Sequence, residues 1–581
     1  MSHKSLHTIV RLCTLSIFLT MGASPARAGD ATLPEWDFHF PMDLPTFVSG
    51  SFGELRANHF HSGVDFTTGG KTGLPLYAID EGYVARIAVS PVGFGKALYI
   101  AHPNGYTSVY AHCDWFSKDI EEVVQNLQYQ KESFAIDESF APGQLPVSRG
   151  QVIAFSGNSG SSGGPHLHFE IRETATQKPL NVHHFGLPVE DDVPPHIEAI
   201  VLYPLDEQSH INGSREPLYL PATFHSGQFH LRGNPQLTAA GTIGVGIETI
   251  DYFSHSWRRC GVYSVQLRVD NVPWFRSQID GFLFAQTRYL NSHIDYALRR
   301  QQRKVVQKSF LDPNNPLPFY TTTPEQGRIR MEGGQTRQLS YEVRDAAGNS
   351  SRLTFQVNGA AEKAAPKTNT APQLLKIDPF QPYFISIDHF KAEFEAQTFY
   401  TEVPALFDLQ DNPGLGIGAH FSVLSEDIPA QRFFTLTLPL PKEYQKSQRI
   451  CAARVVNGKL VYAGGQIQDG HLVLRTREPG TYCLSTDTTP PEVRLLSLPA
   501  GRNYSRSDRI RIAIKDDFSG IASYRATING QWALFEYDAK NNVLNGWFRS
   551  LRLAQGQRHQ LELVVTDQLG NQTNFSTEFL Y

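Results

Sequence analysis

Short runs of alternating apolar and polar residues dominate the chain from residue 30 to about 190: PLYAIDEGYVARIAV, ALYIAH, YTSVYAHC, QVIAFSG and HLHFEIRE. A period of two, with glycine at the ends of the runs, predicts β-strands. One segment breaks the pattern. In SKDIEEVVQNLQYQKES, Ile120, Val123, Val124 and Leu127 recur at i, i+3, i+4 and i+7, and Asp119, Glu121 and Glu122 occupy the first turn. This predicts an amphipathic helix over about 117–132, inserted among the strands.

Beyond EDDVPPH (190–196), which reads as a linker, the chain repeats itself. Pro194-Pro195 precedes HIEAIVLYP, and Pro490-Pro491 precedes EVRLLSLP. ETIDYFS (248–254) resembles IAIKDDFSG (512–520), and YEVRDAAGNSS (341–351) resembles VVTDQLGNQT (564–573). A strand, an Asp-x-x-Gly-Asn turn and a second strand recur, as two copies of an Ig-like β-sandwich module would give. The expected layout is a signal segment (1–28), an N-terminal β domain (29–190), a first module with an insertion (191–358), a polar linker (359–372), a β-rich module (373–487) and a last module (488–581). The surplus in the first copy lies around 275–330 and holds the basic run YALRRQQRKVVQK, read as a solvated helix face.

Composition narrows the class. The chain has 581 residues, 40% hydrophobic and 19% charged, with a net charge of −5. That length calls for several domains, and the charge gives no footprint for nucleic acid. Lys4 and Arg11, the apolar LCTLSIFLTMG and the small residues flanking Arg27 in Ala26-Arg27-Ala28 form a secretory signal. The mature chain is expected to start near Gly29, to carry no transmembrane helix, and to work in the periplasm or at the surface of a bacterium. Four cysteines then remain, far apart and without a CxxC. Cys451 and Cys483 share a module and are the expected disulfide, if one forms. Cys113 and Cys260 are expected to be small buried side chains.

Three fragments concentrate histidine: HFHSGVDF (59–66), SVYAHCDW (108–115) and GNSGSSGGPHLHFEIR (157–172). His166 and His168 are two apart on a predicted strand, so they share a face with Glu170, while Leu167 and Phe169 face a core. A polar strand face and a metal site both fit that fragment taken alone. His61 and Asp65 flank Gly63, and a bend there turns both inward. Two imidazoles and a carboxylate make three protein ligands with one position open, the catalytic arrangement for zinc. His112, grouped by alternation with Tyr110, is a candidate general base. His183 and His184 read as surface or capping residues.

In order, H-x-G-x-D, Y-x-H and G-x-[ST]-G-x-S-x-G-P-H-L-H-F-E closely resemble the lysostaphin/LytM-type zinc endopeptidases, peptidase family M23. The resemblance covers residues 40 to 185. It implies a small antiparallel β domain of the duplicated-hybrid-motif kind in a mostly β chain, with one zinc ion held by His61, Asp65 and His168. It also implies that His112 and His166 are catalytic and that the substrate is a peptide of bacterial peptidoglycan. His59 matches nothing and gets no ligand role. Cys113 replaces the usual apolar residue after Y-x-H and is expected to point into the core. Two other functions stay open at this level: a non-catalytic LytM-like scaffold that activates other wall hydrolases, and a secreted protease of Gly-rich proteins. The modules are candidate docking surfaces for the wall or a partner.

Overall fold

A computed structural model describes residues 36–43, 47–187, 189–361, 375–411, 413–497 and 499–581. The expected signal segment and nearly all of the 359–372 linker lie outside them. The described part of the N-terminal unit centres on a nine-stranded sheet. Its main path uses β1 (Val48–Gly50), β2 (Val64–Thr67), β3 (Gly82–Val89), β4 (Lys96–Ala101), β5 (Tyr106–Cys113), β6 (Ile136–Ser139) and β7 (His166–Glu173). The spatial order is β1-β2-β7-β5-β4-β3-β6, with every neighbouring pair antiparallel.

Alternation sorts the faces of this sheet. Val64, Phe66, Leu98, Tyr110, Leu167, Phe169 and Ile171 enter one core. A small sheet of Pro75–Tyr77, Val152–Phe155 and Trp115–Phe116 adds Leu76, Ile153, Ala154 and Phe116 to it. Each fully buried Phe contributes roughly 1.5–3 kcal/mol by leaving water. Phe66 and Phe169 thereby anchor β2 and β7, whose opposite face carries the polar residues of interest.

The segment Lys118–Lys131 is helix α1, with Ile120 and Val124 buried beneath it. Its outer side meets the last module: Tyr129 Oη donates to Ser550 O at 2.8 Å, and Arg525 pairs with Glu132 at 2.6 Å. The helix is thus a packing bracket between the sheet and the chain's final unit.

The C-terminal units are β-structures of different construction. In the first module, strand Thr238–Ile250 pairs with both His196–Pro204 and Ser350–Gly359, so its strands join one continuous sheet rather than two separate ones. Gly241, at φ 73°, lets this strand bend from one half to the other. Two five-stranded sheets enclose a core of Phe394, Phe421, Leu436 and Tyr482 in the next unit. Two four-stranded sheets close on Ile512, Leu544, Leu563 and Val565 in the last.

The surplus around 275–330 is a docking arm. Phe282 is buried against Phe52 and Phe60 of the N-terminal unit, at 5.5 and 5.4 Å between ring centroids. The basic run forms helix Tyr296–Gln302, and it is not a freely solvated face. Arg299 donates to Arg56 O at 2.9 Å, and Arg300 pairs with Glu426 at 2.6 Å.

All four described cysteines are buried free thiols. Cys451 lies opposite Ser485, and Cys483 opposite Ala453. The two are diagonal neighbours, roughly 7–8 Å apart in such a ladder. That separation exceeds the usual reach of a disulfide, so the expected pair does not form here. Among the described residues no helix is long and apolar enough to cross a membrane.

Candidate active site

His61 leaves the short hairpin Leu55–Arg56/His59–Phe60 and enters a bend that ends at Asp65 on β2. The bend presses against β7: a Cβ on Gly63 would lie 2.3 Å from Phe169 O. Only glycine fits that approach. Asp65 is then directly opposite His168 in the β2–β7 ladder. The antiparallel register therefore completes what the H-x-G-x-D spacing began.

Three donor atoms converge. His61 Nε2 and His168 Nδ1 are 2.9 Å apart, His168 Nδ1 and Asp65 Oδ1 2.9 Å, and His61 Nε2 and Asp65 Oδ1 3.0 Å. All three residues are buried, and as a group they could hold a metal ion. Tetrahedral zinc, with bonds of about 2.0–2.1 Å, separates its donors by roughly 3.3 Å. The N, O, N set therefore fits zinc with a small outward shift.

The other ring nitrogens are committed. His61 Nδ1–H donates to Ser51 O at 2.7 Å, and His168 Nε2–H donates to Glu170 Oε1 at 2.8 Å. Those bonds leave His61 Nε2 and His168 Nδ1 as the metal-facing atoms. Glu170 also accepts from Ser62 Oγ at 2.5 Å and from Arg172 Nε at 2.5 Å. Arg56 donates to the second oxygen of Asp65 at 2.6 Å.

Charge follows these contacts. Burial lowers the pKa of His61, which favours the neutral ligand form. Burial would raise Asp65, but His61 and the hydrogen bonds from His166 and His168 hold it well below the usual range. Burial also works against charged His168, yet the bonds to Asp65 and Glu170 hold it up at about 9. Glu170 is kept down near 2 despite its burial, by Arg172 and His168.

His112 and His166 flank the cluster, their ring centroids 4.8 Å apart. Strict alternation would send His112 into the core with Tyr110. It does not go there. The β4–β5 register slips between Lys96 and Leu98, and His112 takes φ 61°, which turns its ring onto the site face. Tyr110 stays in the core, its hydroxyl accepting from Ile79 N at 3.0 Å. The Gly-rich loop grips both rings by Nδ1–H: His112 donates to Ser159 O at 2.9 Å and His166 to Gly164 O at 2.8 Å. His166 Nε2 lies 3.5 Å from Asp65 Oδ1, so Nε2 of His112 is the ring nitrogen available to take a proton. Burial, with His168 and His166 nearby, pushes His112 down to about 3.

His59 is exposed, and its Nδ1–H donates to Ala57 O at 2.7 Å, outside the donor cluster. Cys113 is buried in the core. His183 and His184 do not enter the site: His183 stacks on Phe253 at 5.3 Å, and His184 packs edge-on to Tyr263 at 5.1 Å. Sequence reasoning missed Arg56 and Ser62 and assigned no role to Arg172. It also missed Phe94, which stacks on His168 at 5.0 Å. The repeat of polar residues at every second position of HLHFEIR was the one signal available for Arg172. The last module is a further surprise, for Lys540 donates to Asn158 O in the Gly-rich loop, and Lys96 bridges Asp114 O and Glu536.

Residues 59–129 match the description of peptidase family M23, and residues 377–487 match a Zu5-like domain. The first match ends before β7, so His166 and His168 join the site through sheet register. A protein of Haemophilus influenzae named an uncharacterized metalloprotease is 30% identical over 146 residues, which are 24% of this chain and 26% of that protein. The peptidoglycan DD-endopeptidase ShyA of Vibrio cholerae is 29% identical over 161 residues, 27% of this chain and 31% of that protein. A solved zinc containing peptidase from Vibrio cholerae shares 27% identity over 27% of this chain and 41% of its own, with a TM-score of 0.20. The chain thus spans about a quarter to a third of the length of these curated relatives.

Proposed function

We propose that the protein, whose residues 59–129 match peptidase family M23, is an exported zinc metalloendopeptidase that hydrolyses peptide cross-links of bacterial peptidoglycan. The observation that carries this reading is the triangle of His61, Asp65 and His168 donor atoms, 2.9–3.0 Å on a side, with two more histidines beside it. A zinc ion held by these three residues would supply Lewis acidity, polarising a peptide carbonyl and acidifying water.

The remaining work falls to the chain itself. His112, kept neutral by burial, takes a proton at Nε2 from the attacking water. His166, fixed by Gly164 O and Ser162 Oγ, faces the developing oxyanion, and the proton taken by His112 passes to the leaving amine. Glu170 and Ser51 hold the ligand rings in orientation. Residues 29–190 form the catalytic unit in this reading. The modules 191–358, 373–487 and 488–581 position that unit against the wall or a partner.

The test is to incubate the purified mature protein with isolated peptidoglycan and to identify released muropeptides by mass spectrometry. Zinc-stripped protein and His112→Ala serve as controls. Release of a defined cross-link, lost in both controls, is the expected result. Absence of both release and bound zinc would overturn the proposal.

A further inference from the structure

The repeat in the sequence places two clusters of three aspartates at equivalent positions. Asp191, Asp251 and Asp345 each bring an oxygen within 4.8 Å of the others, and so do Asp487, Asp516 and Asp567. The scaffolds correspond in most of their bonds. Asn349 Nδ2 donates to Asp345 Oδ2 at 2.8 Å and to Asp191 O at 3.0 Å. Asn571 Nδ2 donates to Asp567 Oδ2 at 2.6 Å and to Asp487 O at 3.1 Å. Ser254 N serves Asp191 as Ser519 N serves Asp487.

The copies differ at two carboxylates. Asp516 Oδ1 accepts from Phe518 N, Ser519 Oγ and Gly520 N. Its counterpart Asp251 is only 1% exposed, and its Oδ1 has no hydrogen-bond partner. Oδ2 of Asp191, also shielded from solvent, has none either. A buried carboxylate oxygen without a donor is costly, and here two such oxygens belong to carboxylates crowded within reach of a third. The same burial and crowding push Asp251 up to about 8.

From these converging carboxylates, two of them with an unpartnered oxygen, we infer that Asp191, Asp251 and Asp345 form a calcium site. The donors are all hard oxygens, without nitrogen or sulfur, and they carry more negative charge than one cation cancels. Calcium accepts such sets with flexible geometry, and carbonyls and water complete its shell, whereas magnesium demands a near-ideal octahedron. The position gives the ion a purpose. Asp191 lies on the linker from the peptidase domain, Asp251 just past strand Thr238–Ile250, and Asp345 in the turn after Thr336–Arg344. A bound ion ties the linker to two strand ends and stiffens the junction between peptidase and first module.

Isothermal titration of calcium into calcium-free full-length protein tests this, with thermal unfolding in parallel. Calcium should bind with a dissociation constant of roughly 10⁻³ M or tighter and raise Tm, with magnesium weaker. Asp251→Asn should abolish the heat and the shift, while in calcium-free buffer near neutral pH it unfolds no lower than the parent, because the amide replaces a carboxyl that carries a proton there. Asp516→Asn should keep the response. The site is refuted if calcium has no effect, if Asp251→Asn responds like the parent, or if Asp516→Asn alone loses the response.

Discussion

Glu170→Gln removes one charge from the site without changing its shape. Glu170 is 0% exposed and receives three donors: His168 Nε2–H, Ser62 Oγ–H and Arg172 Nε–H. Glutamine has a single acceptor oxygen, so its NH2 group must face at least one of those donors. The Arg172 guanidinium, stacked 4.6 Å from the ring of Phe284, then keeps its charge with no counter-ion. Breaking a buried pair in this way costs about 3–5 kcal/mol of stability. The loosened His168 ring should lower zinc affinity about 10- to 100-fold. Thermal unfolding and competition against a chromogenic zinc chelator measure the two effects separately. Adding Arg172→Met to the variant should restore much of the stability, because the orphaned charge is gone, but little of the zinc affinity. Wild-type zinc affinity in the Glu170→Gln protein would refute the orienting role. Recovery of zinc affinity by Arg172→Met would refute it as well.

Three further perturbations test other parts of the framework. His61→Ala should abolish zinc binding, measured by metal analysis after dialysis, while His59→Ala keeps the ion; the opposite result would undo the ligand choice. Gly63→Ala places a Cβ 2.3 Å from Phe169 O and forces β2 and β7 apart, at a cost of about 1–3 kcal/mol; it should lower both Tm and zinc affinity, and an unchanged Tm would contradict the close approach. His293 is buried between Tyr320 Oη and Gln307 Oε1, and burial lowers its pKa to about 4. The unfolded chain takes up this proton near pH 6.5 and the folded chain only near 4, so stability is present above 6.5 and falls as pH drops through that window, by about 3 kcal/mol in full. His293→Gln should flatten the decline of Tm between pH 6.5 and 4, and equal slopes in the two proteins would argue against it.

Much of the site was legible because a strand has a fixed period. His166, His168, Glu170 and Arg172 occupy every second position of β7, so one face of one strand carries a candidate catalytic residue, a candidate ligand and the two groups behind that ligand. Alternation failed where the backbone leaves it. A register slip and a positive φ at His112 reverse the side on which its ring emerges, and no pattern of polar and apolar residues encodes that. Arg56 and Ser62 sit in a hairpin and a bend, where spacing says little about direction. The aspartate clusters were half visible. The repeats align Asp251 with Asp516 and Asp345 with Asp567, but Asp191 and Asp487 join only when the linkers fold back.

The least legible feature was how the units meet, because such contacts join residues hundreds of positions apart. The sequence reads as separate units joined by linkers, yet the core of the N-terminal unit takes in Phe282, Leu290, Leu317 and Leu534 from outside it. Lys96 is buried by Glu536 of the last module, on the strand next to the one that carries His112. A fragment ending near residue 190 would expose Phe52 and Phe60 and leave the Lys96 ammonium without Glu536, with only Asp114 O as its acceptor. Low activity in such a fragment would therefore report lost packing and not a missing catalytic group. The same contacts give the modules a direct route to the chemistry. Lys540 holds Asn158 at one end of the Gly-rich loop that fixes His112 and His166. The last module is thereby tied to both rings through one short segment.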